Sequence, residues 1–215
     1  MTRKPLAVDR RALLAGIGGA MVAGCAARES DNAACPRYPA QTEGPFYLES
    51  IERQDITEGL AGAALTLRIS VVDGANCAAV EDAVVEIWHA DAGGIYSGFA
   101  GQLGDLDTTG EDFLRGAQHT NREGVAEFGT IYPGWYPGRT THIHVKVLIG
   151  GNEALTSQLY FPEEVTAEIY ASGAYASHGQ KDTANEADGI MDAMQLMTIT
   201  GDITQGYVAT ITLSV

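Results

Sequence analysis

From Ala64 to Gly74 the chain reads ALTLRISVVDG, setting Leu65, Leu67, Ile69 and Val71 against Thr66, Arg68 and Ser70 before a turn at Asp73-Gly74. A period of two is the signature of a β-strand with one face buried. Similar short runs return at 83–89 (AVVEIWH), 124–132 (GVAEFGTIY), 141–149 (THIHVKVLI), 155–161 (LTSQLYF), 194–200 (MQLMTIT) and 206–215 (GYVATITLSV). Only one helix is predicted, opened by Pro162, Glu163 and Glu164 at its positive end and closed by Gly173. Short strands with Gly-rich turns and almost no helix can bury their apolar faces only by packing sheet on sheet. The expectation is an antiparallel β-sandwich with one short helix. The stretches 90–116 and 175–189 carry no such pattern, and long loops on a small sandwich are where function concentrates.

The first 24 residues stand apart. MTRKPLAVDRRALLAGIGGAMVAG has a basic start and an apolar run from Ala12 to Ala23, too short to span a bilayer, so it reads as an export signal. Arg10-Arg11 followed by Ala12-Leu13-Leu14 fits a twin-arginine signal. Val22-Ala23-Gly24-Cys25 resembles a bacterial lipobox, which would leave Cys25 lipidated and the protein membrane-anchored, facing the periplasm or the extracellular side; a plain signal peptide with an incidental cysteine is the alternative. Residues 25–37 then read as a tether and 38–215 as one domain, long enough to bury a core. The signal holds four of the 13 basic and one of the 28 acidic residues, leaving 9 and 27 and a net charge of −18. So few cations exclude a nucleic-acid-binding surface. Cys35 and Cys77 remain, and in an exported protein such a pair reads as a disulfide, with two free thiols the duller alternative.

The run at 141–149 poses the functional question. His142, His144 and Lys146 fall on one face of the strand and Ile143, Val145 and Val147 on the other. Neutral imidazole is the commonest metal ligand, and two at this spacing can reach one ion. A glutamate four or five residues on would suit another class of metal site, but those positions are Leu148 and Ile149. His89, His119 and His178 read as structural or solvated, so a three-histidine zinc site lacks its third ligand. Tyrosine supplies the other candidates: Tyr96 after a run of small residues, and Tyr136 in a turn fixed by Pro133, Gly134, Pro137 and Gly138. A phenol ionises near pH 10, so only a strongly Lewis-acidic ion binds it as phenolate at neutral pH. Fe(III), hard and oxygen-seeking, is such an ion.

TEGPFY (42–47), WHADAGGIYSG (88–98), FLRGAQHTNREGVAEFGTIYPGWYPGRTTHIHVKV (113–147) and TSQLYFP (156–162) together resemble the intradiol ring-cleavage dioxygenases, in particular their exported, single-domain branch. The resemblance spans nearly all of 38–215 and implies a sandwich of immunoglobulin- or prealbumin-like type with long active-site loops. It implies non-haem Fe(III) held by Tyr96, Tyr136, His142 and His144, a catecholic substrate, O2, and a muconate-type dicarboxylate product. Tyr136 is then the ligand released to take a catechol proton, Arg139 stabilises developing negative charge, and Gln158 lies near substrate and oxygen. Pro45 and Tyr47 line the pocket, or belong to an arm packed on the sandwich. Only Pro137 and Gly138 separate Tyr136 from Arg139, fewer than in larger members, which implies a less walled pocket open to substituted catechols. The rival reading is a membrane-tethered binding module with a non-catalytic metal site.

Overall fold

The computed structural model describes residues 34–215. The expected signal (1–24), Cys25 and the first part of the tether lie outside the described residues. Eight strands and one helix follow in order: β1 Ala64–Val72, β2 Val84–Trp88, β3 Arg115–His119, β4 Val125–Ile131, β5 His142–Ile149, β6 Asn152–Tyr160, α1 Glu163–Tyr170, β7 Thr198–Asp202 and β8 Gly206–Ser214. They form two four-stranded sheets, ordered β4-β1-β8-β7 and β3-β2-β5-β6. The expected β-sandwich is therefore what the chain forms. The core between the sheets takes the inward residues of both: Leu65, Leu67, Ile69 and Val71 from one, Val85, Ile87, Ile143, Val145 and Val147 from the other. Each such buried aliphatic side chain contributes about 2 kcal/mol.

Three features depart from the sequence reading. Not every ladder is antiparallel: β1 and β8 run parallel, from Leu65 opposite Tyr207 to Val72 opposite Ser214. A parallel pair needs a crossover, and here the chain between the two strands provides it. The stretch Arg115–His119, RGAQH, is a strand although it lacks an apolar alternation. It is held by its ladder with β2 and by the segment before β1, for a Cβ on Gly116 would meet Ile56 Cγ2 at 2.5 Å. The run at 194–200 is a strand only from Thr198, because Asp192 caps a 3-10 turn over Ala193–Gln195.

β5 is buried on both faces from His142 to Val147. An arm, residues 38–56, covers its polar face. The arm is pinned by Gln41 N–H to Thr156 O (2.8 Å) and by a bridge to β3 in which Ala117 N–H donates to Ile51 O (2.9 Å). Lys146 on β5 pairs with Glu43 of the arm and lies 3.5 Å over the ring of Tyr47. Tyr47 Oη donates to Glu86 on β2 (2.9 Å). A disulfide between Cys35 and Cys77 joins the start of the arm to the turn after β1. Among the described residues no helix is long and apolar enough to cross a membrane.

Candidate active site

The register of the second sheet builds the floor of the site. His144 lies opposite Trp88 on β2 and Gln158 on β6, and His142 lies opposite Tyr160. Cross-strand partners share a face, so five functional side chains stand together on the outer side of this sheet. Trp88 stacks flat on His144, with centroids 5.0 Å apart and planes within 6°. The arm closes the other side: Gly44 sits so near that a Cβ there would lie 3.1 Å from His144 Cε1.

The two tyrosines come from different loops, and two glycines allow those loops to touch. A Cβ on Gly94 would lie 2.1 Å from Trp135 O, and one on Gly134 would lie 2.4 Å from Asp91 O. Asp91 shapes the first loop by accepting from Gly93 N–H and Ile95 N–H. Tyr96 is then fixed through its own backbone: its N–H donates to Gln102 Oε1 (2.7 Å), and its carbonyl accepts from Gln102 Nε2 (2.6 Å) and Thr108 Oγ1 (2.7 Å). Its ring stacks on Phe46 of the arm at 4.4 Å and stands 5.8 Å from the ring of Tyr136.

The donor atoms converge. His142 Nδ1–H donates to Thr140 O (2.6 Å), which leaves Nε2 as a lone pair. Tyr136 Oη donates to that nitrogen at 3.1 Å, and His144 Nε2 lies 3.2 Å from it. Tyr96 Oη and His144 Nδ1 are buried without a hydrogen bond of their own. Burial, reinforced by the neighbouring charge of Arg139, holds His142 down to about 3, and burial with the nearby His142 holds His144 well below the ordinary imidazole range. Burial raises both tyrosines, Tyr96 the more strongly; at Tyr136 the Arg139 guanidinium opposes the rise. Two neutral imidazoles and two phenol oxygens thus face one small volume from which water is largely excluded.

Arg139 borders this cluster. Its Nε donates to Asp188 Oδ2 (2.9 Å), and its Nη2 donates to Gln158 Oε1 (2.6 Å) and Tyr160 Oη (3.2 Å). The structure thus brings Tyr96, Tyr136, His142, His144, Arg139 and Gln158 together. It does not bring Pro45 and Tyr47 with them: Pro45 is exposed, and Tyr47 is committed to Glu86, Lys146 and Trp88. Phe46, between them, is the arm residue that reaches the tyrosines. His89 is buried between Ala90 O and Thr130 Oγ1, both at 2.8 Å, His119 is hydrogen-bonded to Asp82 at the surface (2.6 Å) and His178 binds Trp135 O (2.7 Å), so none joins the cluster.

Sequence reasoning missed Trp88, Phe46, Asp188 and Arg115. Arg115 ties the arm to the Tyr96 loop, donating to Phe46 O (2.7 Å) and Ser97 O (2.6 Å). The unpatterned stretch containing Asp188 was the available signal for that residue. Trp88 could have been found only from the strand register.

Comparison with known proteins agrees with this geometry. A family model described as "Dioxygenase" matches residues 35–203. An intradiol ring-cleavage dioxygenase from Tetranychus urticae superposes with a TM-score of 0.78 at 31% identity, over 84% of this chain and 94% of that one. A chlorocatechol 1,2-dioxygenase of Cupriavidus pinatubonensis is 29% identical over 143 residues, 55% of this chain and 52% of that protein. The catechol 1,2-dioxygenase 1 of Acinetobacter lwoffii is 31% identical over 166 residues, 65% of this chain and 50% of that protein. The chain spans about half the length of the curated relatives it matches. With its sandwich, its motif order and the matched span in agreement, the chain belongs to the intradiol ring-cleavage dioxygenase family.

Proposed function

We propose that the protein cleaves a catechol ring between its two hydroxylated carbons with O2, giving a muconate-type dicarboxylate, and that Tyr96, Tyr136, His142 and His144 hold a non-haem ferric ion for this purpose. The approach of Tyr136 Oη (3.1 Å) and His144 Nε2 (3.2 Å) to His142 Nε2, beside the unpartnered hydroxyl of Tyr96, carries the reading. The donor set fits the ion. Among the described residues no three of His, Cys, Asp and Glu gather as a metal-binding group, so zinc's usual donors are not assembled there. Two phenol oxygens with two neutral imidazoles suit a hard trivalent cation.

When bound, the ferric ion supplies Lewis acidity that ionises phenols near neutral pH and polarises an aromatic diol towards reaction with O2. The chain's own residues do the rest. Tyr136, less buried than Tyr96, lies at the cavity side; ionised to the phenolate when the metal is bound, it would be the group placed to receive a catechol proton at its Oη. Arg139 keeps its positive charge beside that hydroxyl and stabilises negative charge developing on the substrate. Gln158 and Asp188 hold the guanidinium in one pose, so no reorganisation is required during reaction. Phe46 and Trp88 keep water from the ligand rings.

The test is the visible spectrum of purified, iron-replete protein before and after anaerobic addition of catechol, followed by admission of O2. A broad phenolate-to-iron band that moves to longer wavelength with catechol, and a dicarboxylate product after oxygen, are the expected results. A colourless protein with stoichiometric iron refutes the two-tyrosine site, and one that binds no iron returns the choice to the tethered binding module. We further propose export by the twin-arginine signal and anchoring through a lipidated Cys25, tested by the intact mass of the processed protein.

A further inference from the structure

We infer that the site selects catechols bearing an uncharged, apolar ring substituent and rejects those bearing a carboxylate; the inference rests on the catechol reading above. Beside Tyr136 lies a cavity of about 320 Å³. Its side-chain walls are Phe46, Leu103, Pro137, Tyr136 and Gln102, the rest being glycine. Phe46 is stacked on Tyr96, so this cavity adjoins the donor cluster and is where a substituent on a bound ring would project.

No charged side chain lines these walls, and the Tyr136 hydroxyl is engaged with His142 Nε2. Gln102 is polar, but both ends of its amide hold the Tyr96 loop: Oε1 accepts from Tyr96 N–H (2.7 Å), and Nε2 donates to Tyr96 O (2.6 Å) and Phe99 O (3.0 Å). Recruiting it would release a ring of the donor cluster. The cations bordering the site are committed as well. Arg115 spends Nε on Ser97 Oγ, Nη1 on Phe46 O and Nη2 on Ser97 O. Arg139, oriented by Asp188, Gln158 and Tyr160, borders the donor cluster and does not line this cavity, and Lys146 is held by Glu43. The loop that supplies Leu103 also carries Asp105 and Asp107, and the chain's net charge is −15, so the surrounding field opposes a second negative charge.

A carboxylate placed here would lose hydration without gaining a partner, whereas a methyl or halogen would exchange water for Phe46, Leu103 and Pro137. The discrimination expected from stranding a charged group against apolar walls is on the order of 100-fold or more in kcat/KM. The preference expected for one added apolar group is about 10-fold. Leu103, 37% exposed on a surface loop, can be changed with little effect on the fold and is the specificity-determining position.

The experiment compares catechol, 4-methylcatechol and 3,4-dihydroxybenzoate as substrates of the iron-replete protein, and measures their anaerobic binding by calorimetry. The expected order is 4-methylcatechol, then catechol, with 3,4-dihydroxybenzoate at least about 100-fold below. Leu103→Lys is expected to shift the preference towards 3,4-dihydroxybenzoate by about 10-fold or more through a direct charge pair. Equal binding and turnover of the methyl and carboxylate substrates by the wild type overturns the inference and leaves the functional reading intact. Failure to bind or cleave any of the three overturns both.

Discussion

Asp188 Oδ2 lies 2.9 Å from Arg139 Nε, across 49 residues of sequence, and the same carboxylate oxygen accepts Thr140 N–H at 3.0 Å. One loop residue therefore fixes both the guanidinium that faces the donor cluster and the backbone that leads into the His142–His144 strand. The Asp188 side chain is 1% exposed and that of Arg139 21%, so the pair sits largely out of solvent.

Asp188→Asn should break this arrangement. It leaves a half-buried guanidinium without its counter-charge, which costs about 3 kcal/mol when such a pair loses one member. Thermal unfolding of the variant should show that loss. Turnover should fall about 10-fold or more with a smaller change in KM, because Arg139 acts on charge that develops during reaction. Unchanged turnover with lowered stability would mean that Asp188 serves the fold alone.

Gly44 has φ +75°, a region that costs an L-residue about 1–2 kcal/mol, and a Cβ would meet His144 Cε1 at 3.1 Å. Gly44→Ala is therefore expected to lower stability by about that amount. It should weaken iron binding disproportionately, because His144 Nδ1 has no hydrogen bond and its ring is held by packing between Trp88 and the arm. Iron stoichiometry after dialysis against a weak chelator, set beside the unfolding curve, separates the two effects.

His89 is fully buried, and burial, with the Arg115 charge adding to it, lowers its imidazole to about 4. The unfolded chain binds that proton near pH 6.5 and the folded one only near 4, so in this window the unfolded state holds more protons and stability rises with pH. The contribution is complete above about 6.5 and is lost as pH falls towards 4, on the order of 3 kcal/mol in all. His142 and His144 act in the same direction, so the measurement is a difference. Denaturant unfolding of wild type and His89→Gln from pH 7 to 4 should give a shallower slope for the variant. Parallel slopes would show that His89 does not contribute.

The Cys35–Cys77 disulfide closes a loop with a sequence separation of 42. Loop-closure entropy gives about 4 kcal/mol for a loop of this length, so Cys35→Ser/Cys77→Ser should unfold at a markedly lower temperature. The midpoint difference should be largest without reductant and vanish with it. A variant as stable as the oxidised wild type would refute the assignment.

Much of the fold was legible in the sequence because strand alternation is a local property. Leu65, Leu67, Ile69 and Val71 point inward as their spacing requires, and the helix opens at Pro162. RGAQH at 115–119 carries no alternation, and its strand conformation comes from the neighbours on either side. Likewise no residue of β1 or β8 announces that the two will run parallel. Of the site, the segment from Tyr136 to His144 was readable because a turn, an arginine and two imidazoles two residues apart lie on one continuous piece of chain. Tyr96 was a candidate from the run of small residues before it, and Gln158 was reached only through the resemblance of its motif to a family.

The sequence by itself determined the alternating strands, their inward faces, and the two histidines that one strand presents together, since all of these follow from a two-residue period. Tertiary structure alone decided that the polar face of β5 would be buried, through an arm more than 80 residues earlier in the chain. It also decided that the Tyr96 loop would meet the Tyr136 loop at Gly94 and Trp135, and that Asp188 would be the partner of Arg139. The physical reason is that convergence of donors and exclusion of water depend on contacts between distant segments, where a single missing Cβ or one loop carboxylate sets the outcome and leaves no periodicity behind.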